Sequence, residues 1–250
     1  MSEALDMKQH RTRKRQKHVK HQAEEMIRTE HLEKTYEDNG VPVHALKGID
    51  LSVRKGEFLV IAGPSGSGKT TLLNLIGALD KPSRGAIYFE QENLASKSKT
   101  DLATLRLNKL GFIFQAYNLI PVLTALENIE FTMMLLSIPE AERKERALKV
   151  MDELGIGDLA GKRPNEMSGG QQQRVAVARA IVTNPSVVLA DEPTANLDSA
   201  TGASLLDLME RMNREREITF VFSSHDPQVI DRGHRLLVLK DGRIEREKKR

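Results

Sequence analysis

The chain contains no cysteine and no tryptophan. The first absence removes disulfides, thiolate metal sites and cysteine nucleophiles. The second, with aromatic residues at only 4%, argues against an aromatic platform for single-stranded nucleic acid. No stretch approaches the roughly 18 uninterrupted apolar residues of a membrane span, and the N-terminus has no apolar core of the signal-peptide kind. A cytosolic setting is therefore expected. Net charge is also scarce, +3 over 250 residues. That excess lies in residues 1–26, where seven bases (Lys8, Arg11, Arg13, Lys14, Arg15, Lys17, Lys20) meet four acids (Glu3, Asp6, Glu24, Glu25). The remainder is balanced, with 31 residues of each sign, so no nucleic-acid-binding domain is expected.

What is present supports a core: 39% of residues are apolar, and the length fits one α/β domain with a modest subdomain. Residues 1–26 read as a disordered basic extension. Its charge would be drawn to an anionic membrane by about 1 kcal/mol per base. The domain proper is expected over 27–250. Apolar runs predict strands over 43–53, 57–62, 85–90, 110–114, 186–190 and 218–222, with 235–239 the last. Helical patterns cover 69–79, 170–182 and 199–212. This alternation predicts an α/β fold with a largely parallel, covered sheet. Residues 116–165 break it with helices over 125–137 and 140–154, Pro139 being placed to start the second. They read as a helical insertion.

Two motifs carry phosphate chemistry. Gly63-Pro64-Ser65-Gly66-Ser67-Gly68-Lys69-Thr70 fills the pattern G-x-x-x-x-G-K-[ST] between a strand and a helix. Its glycines let backbone N–H groups turn toward phosphate, and the helix N-terminus adds its dipole. Lys69 would reach the β- and γ-phosphates and Thr70 would bind Mg²⁺. The strand Val187-Val188-Leu189-Ala190 delivers Asp191 and Glu192. Asp191 is placed to hold Mg²⁺ through water, and Glu192 to act as general base on an attacking water.

A third segment, Met167-Ser168-Gly169-Gly170-Gln171-Gln172-Gln173-Arg174, also suits anion binding at a helix N-terminus. It resembles the signature of the ABC ATPase family. The resemblance covers residues 27 to about 245. It implies a P-loop NTPase fold with an antiparallel β subdomain and the inserted helical subdomain. It also implies a homodimer, in which Ser168, Gly169, Gly170 and Gln171 cap the ATP held by the opposite subunit. By the same resemblance Tyr36 lies under adenine, and Thr71 belongs to the nucleotide site. Gln115 touches Mg²⁺ and the nucleophilic water, Asp198 stands in the loop that crosses the dimer interface, and His225 senses the γ-phosphate.

Segments Leu110–Pro121, Leu123–Asn128, Arg163–Ser168 and Ala190–Asp198 are similar to the lipoprotein-releasing (LolD-like) and macrolide-exporter (MacB-like) group. That likeness implies a four-span permease with a large extracytoplasmic domain, and a motor held on the inner face of the cell membrane. The partner is expected to dock on the insertion, where the apolar run Tyr117, Leu119, Ile120, Pro121 and Leu123 is either subdomain core or the seat of a coupling helix. An FtsE-like regulator of cell-wall hydrolysis is the near rival. A soluble ABC protein acting on ribosomes or DNA is a further one. A small-molecule kinase would leave residues 167–174 unexplained.

Overall fold

The computed structural model describes residues 25–38 and 40–249. Most of the basic extension read over 1–26 lies outside the described residues; its last two, Glu25 and Met26, belong to a strand. That strand, β1 (Glu25–Asp38), pairs antiparallel with β2 (Val41–Arg54) and with β4 (Arg84–Phe89). With β5 (Glu92–Asn93) they form an antiparallel sheet in the order β2-β1-β4-β5.

The second sheet has the order β10-β9-β3-β8-β7-β6, built from β3 (Phe58–Ala62), β6 (Leu110–Ile113), β7 (Val187–Asp191), β8 (Thr219–Ser224), β9 (Arg235–Lys240) and β10 (Arg243–Lys249). The run from β9 to β6 is parallel throughout, and β10 turns back antiparallel on β9. The expected last strand therefore has a successor. Residues 243–249 are almost all charged and exposed, and only their pairing to β9 makes them a strand.

Seven helices stand among the described residues: α1 (Lys69–Ile76), α2 (Lys99–Lys109), α3 (Ala125–Leu135), α4 (Glu140–Glu153), α5 (Gly169–Ile181), α6 (Ser199–Arg216) and α7 (Pro227–Arg232). The parallel sheet separates two apolar cores, and β3 shows how. Phe58 and Val60 join a cluster with Phe220, Phe222 and residues of α3 to α6. Leu59 and Ile61, pointing the other way, join α1 and the antiparallel sheet. Each fully buried side chain of this size contributes roughly 1.5–3 kcal/mol. Such two-sided burial makes the strand apolar end to end.

Residues 116–165 carry α3 and α4. Thr124 caps α3 in a reciprocal box with Glu127, whose carboxylate accepts from Thr124 N at 2.7 Å. Asn128, fully buried, fastens the preceding loop: its Oδ1 accepts from Ile120 N at 2.7 Å and its amide donates to the carbonyls of Ile120, Leu123 and Thr124. Ile129 and Met133 of α3 then share a core with Met151 of α4 and Val175 of α5. The insertion is thereby packed onto the helix that begins at the signature.

Candidate functional site

The loop 63–68 leaves the carboxyl end of β3 and enters α1. Two glycines there are obligatory. Gly63 has φ 155° and its missing Cβ would stand 2.1 Å from Leu239 O; Gly68 has φ 103° and would stand 2.6 Å from Ala45 O. Gly68 is the N-cap of α1, makes no side-chain cap bond, and no acid occupies the first turn. The helix end is thus positive and open. Lys69 is 7% exposed. Its Nζ donates to Gly63 O at 2.8 Å and Pro64 O at 3.0 Å, so the ammonium is folded over the loop it would share with phosphate. Ser67 Oγ is buried with no partner, a polar atom in the cradle awaiting one. Thr70 Oγ1 donates to Asp191 Oδ2 at 2.9 Å.

Because β8 lies between β3 and β7, residues at the carboxyl ends of all three meet at one edge. That is where ligands bind in open parallel sheets. Asp191 pairs with Ser223 and Ala62 with Ser224 in the two ladders. Glu192 follows in the left-handed conformation, φ 45°, at a cost of about 1–2 kcal/mol for a residue with a side chain. Its N–H donates to Ser223 O at 2.8 Å. Its Oε2 accepts from Ser224 Oγ at 2.9 Å, and its Oε1 lies 2.7 Å from His225 Nδ1. The Glu192 side chain is only 13% exposed whereas His225 is 70% exposed. A carboxylate oriented in this way can take a proton from a water, and the histidine beside it faces solvent, free to meet a ligand.

Hard oxygen donors suit Mg²⁺, which typically takes one or two carboxylates plus substrate phosphates. The Thr70–Asp191 pair fits that chemistry. No cluster of three or more His, Asp or Glu that could hold a metal stands among the described residues.

Gln115 is exposed just beyond β6, and its carbonyl accepts from Asn196 Nδ2 at 2.8 Å. The signature segment sits elsewhere. Ser168 caps α5 in a reciprocal box with Gln171, Ser168 N donating to Gln171 Oε1 at 2.9 Å. A Cβ on Gly169 would lie 2.7 Å from Tyr117 Oη, and one on Gly170 would lie 2.5 Å from Thr201 Cγ2. The phosphate loop meets Ala45, Leu46, Asp191, Leu239 and Gly242; the signature segment meets Tyr117, Leu154, Pro193, Asn196, Thr201 and Ser204. Asp198 is the N-cap of α6, accepting from Ala200 N, Thr201 N and Thr201 Oγ1. The Thr201 bonds hold its carboxyl below the usual range. Tyr36 stands on β1, is 38% exposed as a residue, and donates its hydroxyl to Asp80 at 2.9 Å.

Several residues that the sequence reading passed over support the site. From α5, the fully buried Gln173 donates to Pro193 O at 2.8 Å, immediately after Glu192. Arg179 donates to Tyr117 O and Asn118 O, just after Gln115. Burial pushes its guanidinium pKa down. Ser224 and Asn196 hold Glu192 and the Gln115 backbone. In the run 117–123, Leu119 is partly buried against the main core. The apolar opening nearby is a groove of about 580 Å³ lined by Leu79, Phe112, Phe114, Asn118, Leu135 and Arg179 among others.

Known proteins share this arrangement. The family model for the ABC transporter matches residues 46–195. An uncharacterized ABC transporter ATP-binding protein of Thermotoga maritima is 46% identical over 212 residues, 85% of this chain and 90% of that protein. The macrolide export ATP-binding/permease protein MacB of Brucella melitensis is 42% identical over 88% of this chain, which spans 34% of that longer protein. The cassette MJ0796 of Methanocaldococcus jannaschii, 44% identical over 90% of this chain and 97% of its own length, has been solved as a dimer. That structure superposes with a TM-score of 0.85 over 90% of this chain and 98% of that one. Another dimeric structure of it is a post-hydrolysis state with ADP and Pi. With its phosphate loop, acidic strand end and signature in place, the chain belongs to the ABC transporter family as an ATP-binding, ATP-hydrolysing cassette.

Proposed function

We propose that two copies of this chain close head to tail on two ATP molecules, and that closure drives a separate membrane permease of the lipoprotein-release or MacB type. The observation that carries this reading is the separation of neighbours: the phosphate loop and the signature contact different parts of the chain. One copy therefore offers two half-sites. Dimeric cassette structures of a relative support the same reading.

In this reading Lys69 leaves the carbonyls of Gly63 and Pro64 and takes phosphate oxygens. Thr70, Asp191 and Gln115 would hold Mg²⁺, which would supply charge neutralisation at the phosphates. Backbone N–H groups of 63–68 and Thr71 at the start of α1 surround the phosphates, and Tyr36 carries the adenine. Ser168, Gly169, Gly170 and Gln171 arrive from the second copy, with Asp198 beside the interface. Glu192 accepts the proton of the attacking water, while Ser224 and His225 fix its carboxylate. Arg179 and Gln173 join the signature helix to the segments after Gln115 and Glu192, so closure at one end is felt at the other.

The groove lined by Phe112, Phe114 and Leu135 is the docking place for the permease, with Leu79 and Leu135 exposed at 47% and 55% on its rim. No helix among the described residues is long and apolar enough to cross a membrane. The motor works at the inner face of the cell membrane through that partner, and its basic extension meets anionic lipid.

The test uses the Glu192→Gln form, extracted from membranes in mild detergent with ATP. Co-purification of a four-span permease with a large extracytoplasmic domain supports the proposal, and that domain then names the cargo or the cell-wall role. Recovery with ribosomes or DNA and no membrane protein contradicts it.

A further inference from the structure

The segment after α1 carries an acid with an unusual set of partners. Leu79 N and Asp80 N donate to Asn74 O at 2.9 and 3.3 Å, fastening the turn onto the helix. Asp80 then accepts from Tyr36 Oη at 2.9 Å, from Lys34 Nζ at 2.8 Å and from Lys81 N at 2.6 Å. Lys34 Nζ also donates to Lys81 O at 2.8 Å and stands 4.7 Å over the Tyr36 ring. The Lys34 side chain is 12% exposed. The ring is therefore held at its hydroxyl and covered on one face by an ammonium group. Beside it lies Val43, the cross-strand partner of Tyr36, which is 47% exposed. Partners directly opposite in an antiparallel ladder project to the same face.

Asp80 belongs to the element that begins at the phosphate loop. The helix that starts at Lys69 ends at Ile76, and the fastened turn carries Asp80 just beyond it. One rigid piece thus presents open N–H donors at its first turn and grips the aromatic ring from its far end.

We propose that Asp80 is a positioning residue for the nucleotide base: by holding the Tyr36 hydroxyl and the Lys34 ammonium, it fixes the ring at a set distance from the phosphate loop and leaves one ring face, with Val43, for the base. The inference rests on the reading that Tyr36 carries adenine. Stacking is tolerant of base identity but sensitive to where the ring stands, and a ring ordered in advance binds without the entropy cost of ordering.

Calorimetric affinities of the full chain for ATP and for inorganic tripolyphosphate, both without Mg²⁺, separate base from phosphate. Tripolyphosphate also reports that the cradle remains folded. Tyr36→Ala should weaken ATP about tenfold and leave tripolyphosphate unchanged. Asp80→Ala and Tyr36→Phe should each weaken ATP about threefold at constant tripolyphosphate affinity. In the Tyr36→Phe background, Asp80→Ala should weaken ATP less than it does in the parent, losing only what Lys34 contributes. Asp80→Asn, which keeps an acceptor for the hydroxyl, should recover part of the loss. If Tyr36→Ala changes the ratio and neither Asp80→Ala nor Tyr36→Phe does, the positioning role is overturned while the stacking reading stands. A ratio unmoved by Tyr36→Ala overturns both.

Discussion

Two helix N-termini in this chain have glycines at or beside their caps, and they are built in opposite ways. α1 starts at Gly68 in the left-handed conformation, with no side-chain cap and no acid in its first turn. α5 starts at Ser168, whose hydroxyl and backbone N–H are both engaged by Gln171. The first leaves its donors free and wraps its own lysine over them. The second ties its cap residue and Gln171 together in a reciprocal box, which fixes the shape of the face it presents. An open cradle suits a ligand bound by one chain, and a pre-capped face suits one brought up from outside. The proposed head-to-tail dimer needs that division of labour.

The largest expected effect lies on the cradle side. Glu192→Gln should lower turnover about 10²–10⁴-fold while ATP still binds, and size-exclusion chromatography with ATP should show a trapped dimer. Wild-type turnover in this variant would remove Glu192 as the base. Lys69→Ala should weaken ATP affinity in the isolated chain by about 10- to 100-fold, the worth of a charge-assisted contact. Gly169→Asp sharpens the contrast: it should leave that affinity alone and abolish ATP-driven dimerisation. Equal loss of ATP affinity in both variants would break the distinction between the helix ends.

Smaller effects concern stability. Gln173→Ala strands the Pro193 carbonyl in a buried site, and urea unfolding should show a loss of about 1–3 kcal/mol. Ser168→Ala removes the α5 cap at about 1 kcal/mol, and Ser168→Gly should cost only a few tenths. If neither Ser168 variant shifts the unfolding midpoint, the box does not hold the helix end.

The cradle was legible in the sequence because its chemistry needs fixed residues at fixed spacing: Gly63, Gly68, Lys69, Thr70, Asp191 and Glu192 declare themselves. The buried parallel strands were legible too, since burial on both faces leaves unbroken apolar runs such as Phe58–Ala62. Other elements were hidden for definite reasons. Strand β1 changes register between Thr29 and Leu32, and such a bulge destroys period-2 alternation. Helix α2 buries only Leu102, leaving a polar pattern, although Ser98 and Asp101 spell a capping box. Strand β10 exists through its pairing with β9. The supporting residues Asp80, Gln173, Asn196 and Ser224 are ordinary in sequence; topology brings them to Tyr36, Pro193, Gln115 and Glu192.

Mixing two defective chains tests the central claim most directly. Lys69→Ala disables the open cradle and Gly169→Asp disables the capped face, so each homodimer should hydrolyse little ATP. In a mixed dimer, a site shared between chains pairs the sound cradle of one copy with the sound signature of the other. The account predicts that the mixture hydrolyses ATP well above either variant alone. A mixture no more active than its parents would mean that cradle and signature serve one nucleotide within a single chain, and would contradict the account.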